Sequence, residues 1–133
     1  MKLSCARQVC AIVPCYNEAA TIARVVRAVR RHLACCIVVD DCSQDRTAGE
    51  AARAGARVLR HEQNLGKGMA LRQGFALARA SGFEAVLTLD GDGQHDPEEI
   101  PRFLAAFENG NIDIVLGDRM GQTLAMPLVR RMT

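Results

Sequence analysis

Two hydrophobic periods alternate along the chain. Gln8 to Pro14 (Q-V-C-A-I-V-P) is a short apolar run closed by proline, the signature of a buried strand. From Glu18 to Leu33 the apolar positions recur at Ile22, Val26, Val29 and Leu33 with arginines between them, which predicts a helix with one greasy stripe and Asn17 as its N-cap. Cys35 to Asp40 reads as a second buried strand, Ser43 to Ala54 as a helix, and Arg57 to Arg60 as a short strand after Gly55. Gly66 to Ser81 predicts a third helix with Met69, Leu71, Phe75, Leu77 and Ala78 toward the core, and Glu84 to Asp90 a fourth strand. Asp96-Pro97-Glu98-Glu99 is a helix start, with a cap, a proline at the first position and a glutamate three residues on; Ile100, Phe103, Leu104 and Phe107 form its apolar face. Asp113 to Gly117 is expected as a fifth strand. Uniformly apolar strands separated by amphipathic helices argue an α/β fold, a mostly parallel sheet covered on both faces.

Composition narrows this picture. The 133 residues are 49% apolar, but 20 of them are alanine and there is no tryptophan. That content excludes a disordered chain, a collagen-like repeat and a coiled coil, and fits one domain or part of one. The longest largely apolar stretch, Val9 to Cys15, is far short of the ~20 residues of a spanning helix, and no signal peptide is read, so a soluble, cytoplasmic domain is expected. The six cysteines, Cys5, Cys10, Cys15, Cys35, Cys36 and Cys42, form no C-x-x-C pair and read as small hydrophobes rather than metal ligands. Net charge is only +2, yet residues 1–79 hold 13 bases and 6 acids while residues 80–133 hold 4 bases and 9 acids. Five of those acids fall between Asp90 and Glu99, a cluster that repels itself unless a cation joins it. The basic doublets Arg30-Arg31 and Arg130-Arg131 lack interleaved aromatics, which disfavours nucleic acid as a partner.

Ligands of such sheets bind at the carboxyl ends of the strands. Four of the five predicted strands end there in chemically capable residues: Pro14-Cys15-Tyr16-Asn17-Glu18, Asp40-Asp41, Asp90-Gly91-Asp92 and Gly117-Asp118-Arg119. Asp90 and Asp92, one residue apart with a glycine between them, can reach one hard cation such as Mg²⁺ or Mn²⁺; a plain Asp-Gly turn is the structural alternative. An EF-hand loop fails because His95 and Pro101 occupy its Gly and Glu positions. The nucleophile loop of haloacid-dehalogenase-type phosphatases follows a first strand, and this motif follows the fourth. Asp41 can accept hydrogen bonds from a base or ribose. Asn64-Leu65-Gly66-Lys67-Gly68 lacks phosphate-loop spacing, although Lys67 at a helix start can still meet a phosphate. His32 and His61 read as surface residues, and His95 as structural.

Taken in order, Val13-Pro14-Cys15-Tyr16-Asn17-Glu18, Val39-Asp40-Asp41-Cys42-Ser43-Gln44-Asp45, Asn64-Leu65-Gly66-Lys67-Gly68, Leu89 to Pro97 (L-D-G-D-G-Q-H-D-P) and Gly117-Asp118-Arg119 resemble family 2 glycosyltransferases. Among these, the set is most similar to dolichyl- or polyprenyl-phosphate sugar transferases of the dolichol-phosphate mannosyltransferase type. The resemblance implies a Rossmann-like GT-A nucleotide-binding sandwich, truncated, with residues 1–133 forming the donor-binding half and the acceptor half largely missing. It implies that Pro14, Tyr16, Asn17, Glu18, Val39, Asp41, Lys67, Asp90 and Gly91 bind the nucleotide. Asp90, Asp92 and Gln94 are expected to hold Mg²⁺ or Mn²⁺, and Asp90, Asp92 and Arg119 to act at the reacting phosphates. Asp118 departs from the serine common in the family. The implied partners are a GDP- or UDP-sugar and a lipid-phosphate acceptor, with no nucleic acid. A peripheral place at the cytoplasmic face of a membrane follows through the missing C-terminal part. The alternative function is a nucleotide- and metal-binding module without turnover.

Overall fold

The computed structural model describes residues 8–109 and the backbone of residues 114–116 and 128–131. In chain order the elements are β1 (Val9–Cys15), α1 (Ile22–Arg30), β2 (Cys35–Asp40), α2 (Thr47–Arg53), β3 (Arg57–Arg60), α3 (Lys67–Ala80), β4 (Ala85–Thr88), a 3₁₀ turn (Pro97–Glu99) running into α4 (Ile100–Glu108), then β5 (Ile114–Leu116) and β6 (Leu128–Arg131). They build one six-stranded sheet in the order β3-β2-β1-β4-β6-β5. The first four strands are mutually parallel, with Ile12 opposite Ile37 on one side and Thr88 on the other. β6 enters antiparallel between β4 and β5, a strand the sequence pattern does not announce.

Period-two alternation divides β1 between two cores. Val9, Ala11, Val13 and Cys15 face α1 and α4, where Val26, Val29, Leu104 and Phe103 cover them; Cys10 and Ile12 face α3, beside Ile37, Val39 and Val86. Every residue from Val9 to Val13 is fully buried, which is why this stretch reads as a continuous apolar run. Cys35 and Cys36 fall on opposite faces as their adjacency requires. The described cysteines are free, and burial pushes the Cys36 thiol up to about 12, so these side chains pack rather than react.

The helix after β1 starts four residues later than its apolar period suggests. Asn17 is not its cap: it adopts a left-handed φ of 54°, and the segment to Thr21 turns before α1 begins. Asp96 does cap its turn, accepting from the Glu98 amide at 3.0 Å. In α3 the buried stripe is Ala70, Gly74 and Ala78, while Met69 is 37% exposed instead of lying in the core. Close approach to the sheet is the reason. A Cβ on Gly74 would sit 2.5 Å from Ile12 Cγ2 and 3.2 Å from Val39 Cγ2. Gly74→Ala is therefore expected to destabilise the fold by roughly 1–3 kcal/mol through overpacking, despite alanine's better helix propensity. Chemical denaturation measures this, and an unchanged midpoint contradicts it.

Candidate functional site

The loops leaving β1, β2, β3 and β4 meet at the carboxyl edge of the sheet and enclose a cleft of about 220 Å³. Pro14, Cys15, Tyr16 and Glu18 form one wall; Asp41, Lys67 and Ala70 form the floor; Asp90, Gly91 and Asp92 close the other side. Small residues make this convergence possible. A Cβ on Gly91 would lie 3.1 Å from Cys15 Cβ, tighter than an ordinary contact, so glycine favours the close approach of the acidic loop to the β1 wall. The Gly91 carbonyl accepts from Thr21 Oγ1 at 2.6 Å, which ties that loop to the residue just before α1.

The β1 and β2 loops are stitched to each other. Asn17 donates its backbone N–H to Ser43 Oγ at 2.8 Å and accepts the Gln44 amide on Oδ1 at 2.9 Å. The Glu18 amide donates to Thr47 Oγ1 at 2.9 Å. Asp45 accepts from the Thr47 hydroxyl and amide and from the Ala19 amide, and its carboxyl lies below the usual range, the Thr47 hydroxyl contributing most. Asp40 is fully buried; it accepts from Ser43 and lies 3.5 Å from Arg60 Nε. Asn17 and Asp40 thus shape loops and do not line the cleft.

Asp41 holds a different loop. Its Oδ1 accepts from the Leu65 amide at 2.7 Å and from His61 Nδ1 at 2.9 Å, and its Oδ2 from the Gly66 amide at 2.8 Å. Burial opposes ionisation here, but these N–H donors outweigh it and hold the carboxyl below the ordinary carboxylate range. A carboxylate depressed in the folded state stabilises above its unfolded value, near pH 4, and loses that contribution as pH falls through the folded value. Amide exchange at Leu65 and Gly66, corrected for intrinsic rate, is expected to stay constant from pH 7 to 5 and to accelerate only below about pH 4. Acceleration already between pH 6 and 5 contradicts it.

Across the cleft, Lys67 Nζ lies 2.6 Å from Asp90 Oδ1, and the Asp90 amide donates to His95 Nδ1 at 2.9 Å. His95 is buried behind that loop, 5% exposed. Glu18 faces the acidic side: burial and then the charges of Asp92, Asp45 and Asp90 raise its carboxyl above the usual value. Among the described residues no three His, Cys, Asp or Glu side chains converge to hold a metal by themselves. Asp90 and Asp92 both line the cleft and could offer carboxylate oxygens to a hard cation, Asp90 sharing its Oδ1 with Lys67.

Eight sequence-derived residues meet in this cleft: Pro14, Tyr16, Glu18, Asp41, Lys67, Asp90, Gly91 and Asp92. Val39 is fully buried beneath it, in the core facing α3. Gln94 lines a separate groove beside α1, with Arg24 and Arg31, so its side chain is not gathered with Asp90 and Asp92. Arg119 lies outside the described residues, as do Gly117 and Asp118. His61, expected at the surface, is 6% exposed and bonded to Asp41. The available signal was its place, one residue past the carboxyl end of β3, at the edge where the other site residues stand. His32 is partly buried, 3.1 Å from Glu98.

Residues 10–131 match the family described as Glycosyl transferase family 2. The chain belongs to that family. Among curated relatives it is 36% identical over 118 residues to the polyprenol monophosphomannose synthase of Mycolicibacterium smegmatis, covering 81% of this chain and 43% of the relative. It is 31% identical over 135 residues to the undecaprenyl-phosphate mannosyltransferase of Micrococcus luteus, covering 94% and 55%. A solved structure of glucosyl-3-phosphoglycerate synthase from Mycobacterium tuberculosis, in complex with Mn²⁺, UDP and glucosyl-3-phosphoglycerate, superposes with a TM-score of 0.70 at 30% identity, over 86% of this chain and 45% of that one. The fold of this family 2 chain is accordingly the GT-A sandwich. The chain spans about half the length of the curated relatives it matches. No described helix is long and apolar enough to cross a membrane.

Proposed function

We propose that this family 2 chain binds a nucleoside-diphosphate sugar together with Mg²⁺ or Mn²⁺ and serves transfer of the sugar to a polyprenyl phosphate at a membrane surface. One observation carries the reading: Asp41, Lys67 and the Asp90-Gly91-Asp92 loop, drawn from three separate strand ends, converge on one cleft in a fold of this family. The named activities of the mannosyltransferase relatives and the Mn²⁺ and UDP of the structural relative support it.

Each residue then has a task. Pro14 and Tyr16 bound the nucleotide on the β1 side, and Tyr16, 44% exposed, offers an aromatic face for a base or ribose. Asp41 accepts from the base. Lys67 places its ammonium at the N-terminal turn of α3, where a diphosphate would also meet helix amides. Asp90 and Asp92 would hold the cation, which when bound neutralises charge growing on the leaving diphosphate. The acceptor attacks in line and inverts the anomeric carbon. A lipid phosphate is already anionic, so its oxygen needs little help from a general base.

All the donor contacts named fall within the family-matched residues, so residues 1–133 are proposed as a donor-binding unit. Isothermal titration with UDP and GDP tests it. At least one is expected to bind in Mn²⁺ and to weaken by about tenfold or more on chelation. Failure of both to bind, or binding indifferent to the cation, removes the proposal.

A further inference from the structure

Asp41 stands at the floor of the cleft with little freedom left. Its backbone N–H donates to the Cys15 carbonyl at 2.9 Å, and its carboxylate already accepts three hydrogen bonds. Leu65 and His61 share Oδ1, and Gly66 takes Oδ2. An ionised carboxylate has about four acceptor positions, two on each oxygen. Oδ1 is therefore full, and Oδ2 keeps one position for whatever enters the cleft that Asp41 lines.

His61 is the side chain that fills Oδ1. Against an ionised carboxylate the imidazole must carry its proton on Nδ1, which leaves Nε2 as the lone-pair nitrogen. Nε2 is buried with no hydrogen-bond partner among the described residues, so nothing there competes for that proton. The His61 amide donates to the Asp40 carbonyl at 2.9 Å, fixing the residue at the end of β3. The main chain is thus fixed by that bond, and the ring is held on Asp41 by its own hydrogen bond and by burial.

We propose that His61 is a positioning residue that sets the base preference of the cleft. By filling Oδ1 it leaves Asp41 one acceptor, which matches a base edge offering a single imide N–H, as uracil does. Guanine presents two adjacent donors, N1–H and N2–H, and needs one free position on each carboxylate oxygen. Here one of its donors would be desolvated and left unpaired, a penalty larger than the reward of an added bond. The inference rests on the reading of the cleft as a nucleoside-diphosphate site.

Titration calorimetry of the 133-residue chain with UDP and with GDP, each in Mn²⁺, tests it. UDP is expected to bind at least about tenfold more tightly, the scale on which an unpaired donor discriminates. His61→Ala removes both the ring and its N–H and so opens the second position on Oδ1, and the preference should shrink to within about threefold. His61→Gln retains a side-chain donor and should restore the original preference, with the circular dichroism spectrum as the control for folding. Equal or tighter GDP binding by the unaltered chain overturns the proposal, as does an unchanged ratio in folded His61→Ala. If that variant does not fold, the ratio for the unaltered chain decides alone. Binding of neither nucleotide overturns the reading of the cleft itself, whereas binding of both without preference removes only the role of His61.

Discussion

Replacing Asp41 with alanine is expected to cost roughly 3–5 kcal/mol of folding stability and to eliminate nucleotide binding. The size follows from what the carboxylate satisfies. Three N–H groups, from Leu65, Gly66 and His61, point at its oxygens from a part-buried loop. Alanine gives them nothing, and the Asp41 site is only 5% exposed, so water replaces the lost acceptor poorly. His61 gains little by moving its proton to Nε2, since that atom is buried without a partner among the described residues. The loop also starts α3: Gly66 holds a φ of 91°, its carbonyl accepts from Ala70, and Lys67 follows at once. Loss of the clasp therefore frees Lys67 from its place beside Asp90 and spoils both sides of the cleft. Asp41→Asn retains one acceptor oxygen and should cost about half as much. Urea unfolding followed by circular dichroism gives the comparison; a loss under about 1 kcal/mol for the alanine variant would show that the loop does not depend on Asp41.

The contrast between Asp41 and His61 shows which parts of a site a sequence displays. Strands buried on both faces announce themselves by composition, and β2 falls on the residues its apolar run marks, Cys35–Asp40; the edge strand β3, only partly buried, falls on the expected Arg57–Arg60 after Gly55. Once the strands are placed, the acids at their carboxyl ends mark the edge where the cleft lies, and spacing alone does not tell Asp41, which lines it, from Asp40, which is buried against Ser43 and Arg60. Histidine carries no such sign. It serves on a surface or in a core, and only the distance to Asp41 tells which. Met69 was misleading for a related reason. In α3 the residues nearest the sheet are the smallest, Ala70, Gly74 and Ala78, since close packing on Ile12 and Val39 rewards small volume over hydrophobicity. β6 offers no pattern at all: Leu128-Val129-Arg130-Arg131 is too short to alternate, and its place between β4 and β5 comes from long-range pairing. Gln94 illustrates the limit of spacing arguments. It stands two residues after Asp92, yet Gly93 adopts a φ of 82° and the chain turns so that Gln94 lines the groove beside α1.

Asp92→Ala is expected to weaken metal-dependent nucleotide binding by about tenfold or more while leaving the unliganded fold as stable as before or slightly more so. The two effects have opposite signs because the cleft's carboxylates repel one another, a repulsion that the proposed cation would offset on binding. After burial, Asp92 is the largest contributor to the raised carboxyl of Glu18. A carboxyl raised in the folded state costs stability as pH climbs from its unfolded value through its folded one, and that cost persists at neutral pH. Removing Asp92 relieves part of it, by a few tenths of a kcal/mol in so solvated a setting, against the loss of one loop hydrogen bond from the Gln94 amide. The titration of Glu18, followed by NMR, should move down toward the ordinary carboxylate range in the variant. A structural aspartate would behave otherwise, with melting temperature and affinity falling together. If the thermal midpoint drops by more than about 4 °C, or if affinity in Mn²⁺ is unchanged, Asp92 is a loop residue and not part of a cation site. Stability that holds or rises while cation-dependent affinity collapses is the pattern of a carboxylate kept for its ligand; of the five acids between Asp90 and Glu99 only Asp90 and Asp92 line the cleft, while Asp96 caps its turn and Glu98 pairs with Arg31.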